Sequence, residues 1–174
     1  SSASESTSVT VKAVPTASIS ASGSTTFCAG GSVTLTATGG ASYLWSTGAT
    51  TASITVSEAG TYSVVATSAE GCESAAASTT VTVNALPTIT GTLNVCIGST
   101  RQLTGSATAA TTSPWTSSTP SVATVSSTGL VTGVSAGTTT ITYTNSNGCQ
   151  TTATITVNAL PTVTITNPAA VCAP

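Results

Sequence analysis

Histidine, methionine and aspartate are missing altogether from this 174-residue chain, and charge of either sign is nearly so. Lys12 and Arg101 are the only cations and Glu5, Glu58, Glu70 and Glu73 the only acids, which leaves a net charge of −2 and a charged fraction of 3%. Each absence removes a class of function. Two cations make no footprint for a phosphate backbone, so nucleic acid is excluded as a partner. Without histidine there is no Ser-His or Cys-His nucleophile. Without aspartate there is no Asp-rich calcium loop, and the cysteines include no close pair with zinc spacing. Glu70 and Glu73 flank Cys72 in a turn signal, where no cleft would desolvate them, so they read as a solvated hairpin tip rather than an acid–base couple. The chain is read as neither an enzyme nor a binder of metals or cofactors. No apolar run approaches the roughly 18 residues of a membrane helix, so no membrane insertion is expected. The first residues lack the charged and apolar regions of a secretory leader.

What fills the chain instead is Thr, Ser, Ala and Val, with Thr alone at 42 positions. Thr and Val are β-branched and suit a pleated surface, which argues for strands and against helices. One motif organises the rest. Thr-Val-Asn-Ala-Leu-Pro-Thr runs from Thr82 to Thr88, returns from Thr156 to Thr162, and occurs as Thr-Val-Lys-Ala-Val-Pro-Thr from Thr10 to Thr16. The prolines Pro15, Pro87 and Pro161 lie 72 and 74 residues apart, a domain-sized period. The expected organisation is the last strand of a preceding repeat over 1–13, a full repeat over 14–86, a second over 87–160, and the start of a third over 161–174. In Ser8–Lys12, Thr80–Asn84 and Thr154–Asn158 the apolar residues fall on every second position, the pattern of a half-buried strand. Ser32–Thr38, Ser42–Trp45, Ser53–Val56 and Thr61–Thr67 follow one another with Gly-rich turns between, as short strands of a sandwich do.

Residues 88–157, with Trp115, Ser121-Val122-Ala123-Thr124-Val125, Gly129-Leu130-Val131-Thr132-Gly133 and Ala136-Gly137, resemble the bacterial immunoglobulin-like domain of group 2. Residues 17–83, with Phe27-Cys28-Ala29-Gly30-Gly31-Ser32-Val33-Thr34-Leu35, Trp45 and Gly60-Thr61-Tyr62, resemble the Ig-like and PKD-like repeats of giant Bacteroidota surface proteins, gliding-motility adhesins and other type IX-secreted proteins among them. The resemblance implies an all-β fold of tandem immunoglobulin-like β-sandwiches forming an elongated rod. It also implies a secreted, extracellular, cell-surface-attached parent. Such modules mainly space and display other domains.

Five cysteines in a β-rich chain point to an oxidising compartment and to structural disulfides. Pairing Cys28 with Cys72 and Cys96 with Cys149 would close loops of 44 and 53 residues, each worth roughly 4 kcal/mol by chain entropy. In a seven-stranded sandwich those positions fall at opposite ends, and Cys28 with Cys149 across the junction is then the alternative. The internal pairs are preferred because each repeat carries its own complete set. Cys172 is left over because its partner would lie beyond the end of the sequence. Trp45, Trp115 and Tyr62 are expected in the cores, the tryptophans mid-strand in equivalent places and Tyr62 as a tyrosine corner; the competing role for a tryptophan is a sugar-stacking platform.

The junctions Ala85-Leu86-Pro87-Thr88 and Ala159-Leu160-Pro161 are short, and proline fixes one φ in each, so successive repeats should be semi-rigidly joined. The expected function is a structural repeat segment of a very large secreted cell-surface protein, the stalk of an adhesin or the shaft of an extracellular filament. Its partners would be the neighbouring repeats of the same chain. A chain with so few charges to guard its sheet edges is also expected to self-associate laterally or coaxially. The rival is a carbohydrate-binding accessory module of a secreted polysaccharide-degrading enzyme, which would need exposed aromatic faces.

Overall fold

The computed structural model describes residues 7–164 and, among them, contains strands and turns with no helix. The chain divides between Ala85 and Leu86 into two compact units.

The first unit holds seven strands: β1 (Ser18–Ala21), β2 (Thr26–Cys28), β3 (Val33–Thr38), β4 (Ser42–Trp45), β5 (Ser53–Val56), β6 (Gly60–Thr67) and β7 (Ala77–Asn84). They form two sheets, ordered β1-β3-β5 and β2-β7-β6-β4. Alternation decides what lies between them. On β3, Val33, Leu35 and Ala37 are buried while Thr34, Thr36 and Thr38 point away, and Trp45, Val64 and Val81 come from the facing sheet to complete the core. Leu35 is fully buried, a contribution of about 1.5–3 kcal/mol.

The second unit has eight: β8 (Ile89–Gly91), β9 (Asn94–Cys96), β10 (Thr100–Gly105), β11 (Trp115–Ser117), β12 (Ala123–Val125), β13 (Leu130–Gly133), β14 (Gly137–Thr144) and β15 (Gln150–Asn158). Its sheets are ordered β12-β13-β10-β8 and β11-β14-β15-β9. Leu103, Val131, Ile141, Tyr143 and Ile155 fill the space between them, with the Trp115 ring 4.6 Å from that of Tyr143.

Both units use the same device at the start. The first stretch of chain pairs antiparallel in one sheet, as β1 with β3 and β8 with β10, then crosses and pairs parallel with the last strand of the other, as β2 with β7 and β9 with β15. The crossing in the second unit needs glycine. Gly91 has φ +129°, and a Cβ there would lie 2.7 Å from the Gln102 carbonyl oxygen.

One expected strand is absent. Ser8–Lys12 has the right alternation, but no described strand pairs with it, and Val9 and Val11 stand in solvent. Alternation sets which face a strand would bury; only a neighbouring ladder makes the strand.

Candidate functional site: the cysteine-bearing ends of each unit

Each unit receives the chain at one end and releases it at the other, and each end carries one cysteine. At the leading end of the first unit Thr16 lies against Gly39, the Ala41 N–H donates to the Thr67 carbonyl (2.8 Å), and the Ser68 N–H donates to the Cys72 carbonyl (2.9 Å). This series of contacts places the Cys72 turn beside the incoming chain. At the trailing end Cys28 stands opposite Asn84, the last residue of β7, and the Ala29 N–H donates to the Asn84 carbonyl at 2.8 Å.

The second unit repeats the plan. Thr88 and Ser106 exchange bonds of 2.8 and 2.9 Å, Ala109 bridges Asn145, and the Ser146 N–H donates to the Thr108 carbonyl (2.8 Å), so the Asn145–Cys149 turn lies at the leading end. Cys96 stands opposite Asn158 at the trailing end, with the Ile97 N–H donating to the Asn158 carbonyl (3.1 Å).

This placement corrects the preferred disulfide pairing. Cys72 and Cys96 are free thiols, so neither Cys28 with Cys72 nor Cys96 with Cys149 is formed. The reason is the length of the last strand. From Ala77 to Asn84 the rise is roughly 23 Å, and from Gln150 to Asn158 roughly 26 Å, at about 3.3 Å per residue. A disulfide spans Cα atoms about 4.4–6.8 Å apart. Cys28 and Cys149 are disulfide-bonded, the latter fully buried. Cys172 lies outside the described residues.

The leading-end turns are held by matched side chains. In the second unit Asn145, only 3% exposed, accepts from the N–H groups of Asn147 (3.1 Å) and Cys149 (2.9 Å) on its Oδ1, while its own N–H donates to the Cys149 carbonyl (3.0 Å). In the first unit Ser68 does the same work with one bond, its Oγ accepting from the Cys72 N–H at 3.2 Å. Gly71 and Gly148, both at positive φ, close these turns. Sequence reasoning missed the two caps, although both stand four residues before their cysteine, in Ser68-Ala-Glu-Gly-Cys72 and Asn145-Ser-Asn-Gly-Cys149.

Trp45 and Trp115 are buried at 2% and 7% exposure, at the last residue of β4 and the first of β11 rather than mid-strand. Counted from the trailing ends they occupy matching rungs. Trp45 faces Val64, which faces Ala77, seven residues before Asn84; Trp115 faces Tyr143, which faces Thr151, seven before Asn158. The Trp45 indole N–H donates to the Thr51 carbonyl (2.9 Å). Tyr62 is half-buried against the first core, and its hydroxyl donates to the Glu58 carbonyl (3.0 Å), the bond a tyrosine corner makes. A cleft of about 280 Å³ opens beside Gln102, Thr128, Trp115 and Tyr143. Glu70 and Glu73 are exposed, and no cluster of three or more His, Cys, Asp or Glu stands together among the described residues. At the junctions Ala85, Leu86 and Thr88 are exposed and Pro87 buried, and Ala159, Leu160 and Pro161 are exposed.

Residues 87–157 match the family model of the bacterial Ig-like domain (group 2). The fold is immunoglobulin-like. Among solved structures, the C-terminal 282-residue fragment of intimin, determined in complex with the intimin-binding domain of the translocated intimin receptor, superposes with a TM-score of 0.54 at 21% identity, over 83% of this chain and 64% of that one. The chain thus spans less than two thirds of that fragment. The I-band fragment I67–I69 of titin gives a TM-score of 0.43 at 15% identity, covering 86% of this chain and 66% of the other. SGBP-B of Bacteroides ovatus, bound to a mixed-linkage heptasaccharide, gives 0.29 at 16%, covering 78% and 43%. No curated protein sequence matches the chain.

Proposed function

We propose that this chain is a structural repeat segment of a very large exported cell-surface protein, serving as the stalk of an adhesin or the shaft of an extracellular filament. The observation that carries this reading is the end-to-end path of the chain through each immunoglobulin-like unit, in at the Cys72 or Cys149 end and out at the Asn84 or Asn158 end. A module threaded this way adds length with every copy. Loaded at its two termini, it presents the parallel β2–β7 and β9–β15 pairs in shear, so their ladder bonds share the load rather than opening one by one. The disulfide and the immunoglobulin-like fold suit an extracellular domain. The resemblance of residues 17–83 to repeats of type IX-secreted Bacteroidota proteins supports export by that route. Antibody raised against this chain should label intact cells that produce the parent protein. Labelling that required permeabilised cells would refute the reading.

Edge strand β4 carries exposed Leu44 and no charge, which supports lateral association between copies. Sedimentation at rising concentration should show oligomers, and Leu44→Lys should reduce them. A monodisperse monomer throughout would refute this part.

A sugar-binding role draws support only from the cleft beside Trp115. Against it, every described aromatic ring is buried or half-buried, Phe27, Tyr43 and Tyr62 included, so none offers a bare face for stacking. Glycan-array binding lost in a folded Trp45→Ala or Trp115→Ala protein would establish it.

A further inference from the structure

We propose that the cleft beside Trp115 in the second unit seats one short, uncharged, extended peptide segment of another protein, which continues the sheet along the open edge of β10. Two observations point to a ligand there. The first is the Trp115 indole. Its side chain is 7% exposed, yet its N–H makes no hydrogen bond among the described residues, whereas the matching Trp45 N–H donates to the Thr51 carbonyl (2.9 Å). No fully buried side-chain polar atom among those residues lacks a partner, so Trp115 Nε1 reaches the surface. It does so at the cleft. The Cε2 and Cζ2 atoms of that ring edge lie under Gly129, 3.0 and 3.1 Å from where a Cβ would stand, and Trp115 lines the cleft together with Thr128 and Gly105. The first unit meets its indole donor with a backbone carbonyl of its own chain; in the second, the carbonyl of a bound peptide takes that place.

The second is the strand edge. The Leu103 N–H donates to the Gly129 carbonyl (2.9 Å) at the end of the β10–β13 ladder, and the Ser106 N–H donates to the Thr88 carbonyl (2.9 Å) on the opposite side of the strand. Alternation therefore turns the Gly105 N–H and C=O toward the β13 side. There the chain has already turned away through residues 126–129 and gives them no partner among the described residues. Gln102 donates from Nε2 to the Leu103 and Thr128 carbonyls (2.7 Å each), which leaves its Oε1 as a further acceptor. N–H donors and C=O acceptors thus stand together, the complement of a peptide unit, and an open strand edge takes an extended backbone as an added strand. No charged residue lines the cleft, so a charged side chain seated in it would be left unpaired. At about 280 Å³ it falls at the lower end of ligand pockets, which hold about 300–1,000 Å³, and suits a short stretch of chain. The rings of Trp115 and Tyr143 are buried, so a sugar has no face to stack on. The site belongs to the second unit alone and does not depend on the stalk reading.

The test is an NMR titration of the unaltered chain, read at its backbone and indole N–H signals, the two indoles being told apart by a Trp45→Phe variant. Before any ligand is added, the Trp115 Nε1–H should exchange with solvent faster than that of Trp45; equal protection overturns the free donor. The probe is the neutral dipeptide N-acetyl-alanyl-alanine N-methylamide. The Trp115 Nε1–H and Gly105 N–H signals should move saturably with it while the Trp45 indole stays in place. No saturable movement, or equal movement of both indoles, overturns the proposal. So does movement of Trp115 with cellobiose but not with the dipeptide, which would give the cleft to a sugar. Among analogues in which each N–H of the dipeptide in turn is replaced by an ester oxygen, at least one should bind about threefold to tenfold more weakly, the effect of one lost hydrogen bond. Equal affinity of them all overturns the pairing with the Gly105 carbonyl. Trp115→Phe keeps a ring in the core and deletes the donor, so binding read at Gly105 should weaken by a similar factor; unchanged affinity in the folded variant overturns the role of the indole. The ester comparison uses the unaltered chain and so does not rest on a variant folding.

Discussion

Asn145→Ala should destabilise the second unit more than any other single change to a polar side chain at its leading end. The substitution removes the acceptor of two N–H groups, those of Asn147 and Cys149. Cys149 is fully buried, so its N–H would find no water in exchange. Leaving such a donor unpaired costs about 1–3 kcal/mol. At roughly 4–8 °C per kcal/mol for a domain of this size, a loss of about 2 kcal/mol lowers the melting temperature by roughly 8–16 °C. The assay is thermal unfolding followed by Trp115 fluorescence in a Trp45→Phe background, so that the signal comes from the second unit alone. Ser68→Ala provides the internal contrast. It removes one bond of 3.2 Å to a half-buried Cys72 N–H that water can reach, and should cost under about 1 kcal/mol. A drop below about 3 °C for Asn145→Ala, or an equal effect of the two substitutions each on its own unit, would refute the reasoning.

Trp45→Ala empties the core of the first unit, at about 3–5 kcal/mol; limited proteolysis should cut between residues 16 and 85 while leaving 87–157 intact. Gly105→Ala drives a Cβ into the Tyr143 ring, whose hydroxyl is held to the Ala107 carbonyl (3.0 Å), and should lower the stability of the second unit by about 1–3 kcal/mol in denaturant titration. Thr156→Pro deletes the N–H donated to the Leu93 carbonyl (2.9 Å) in the parallel β9–β15 pair; single-molecule pulling should then unfold the second unit at lower force, and an unchanged force would show that this pair does not bear the load.

Much of the fold was legible because the long strands of each unit carry several residues on the core face. Val33, Leu35 and Ala37 show their period at sight, and so do Val81 with Val83 and Ile155 with Val157. The shared seven-residue step from Cys28 to Leu35 and from Cys96 to Leu103 marks equivalent positions, and both leucines are fully buried. The three-residue strands β8, β9 and β11 contribute too few core positions for any period to show. Their pairing is a tertiary fact. Ser8–Lys12 shows the opposite failure, a clear period with no ladder beside it among the described residues. The cysteines were misread for a third reason. Loop length in sequence says how much entropy a bond would remove, but which end of a strand a residue occupies decides whether the bond can be made at all.

The scarcity of charge becomes intelligible on the outer faces. A strand that alternates Val with Thr must do something with a hydroxyl at every second position, and here the hydroxyls meet one another across strands: Ser18 with Thr38 at 2.7 Å, Thr36 with Ser53 at 2.9 Å, Thr34 with Thr55 at 3.1 Å. Each such pair joins a residue of β3 to its register partner on β1 or β5, so the outer face of that sheet is a ladder of neutral hydroxyls. Cross-strand polar pairs of this kind contribute about 0.2–1 kcal/mol each. They are not screened by salt as ion pairs are. A segment built this way holds its sheets together about equally in dilute and saline surroundings. The hydroxyls guard a face well and an edge poorly, because the edge still offers backbone N–H and C=O groups. Stability in this chain therefore comes from faces and cores, while the exposed Leu44 of edge strand β4 has no charge beside it on that strand.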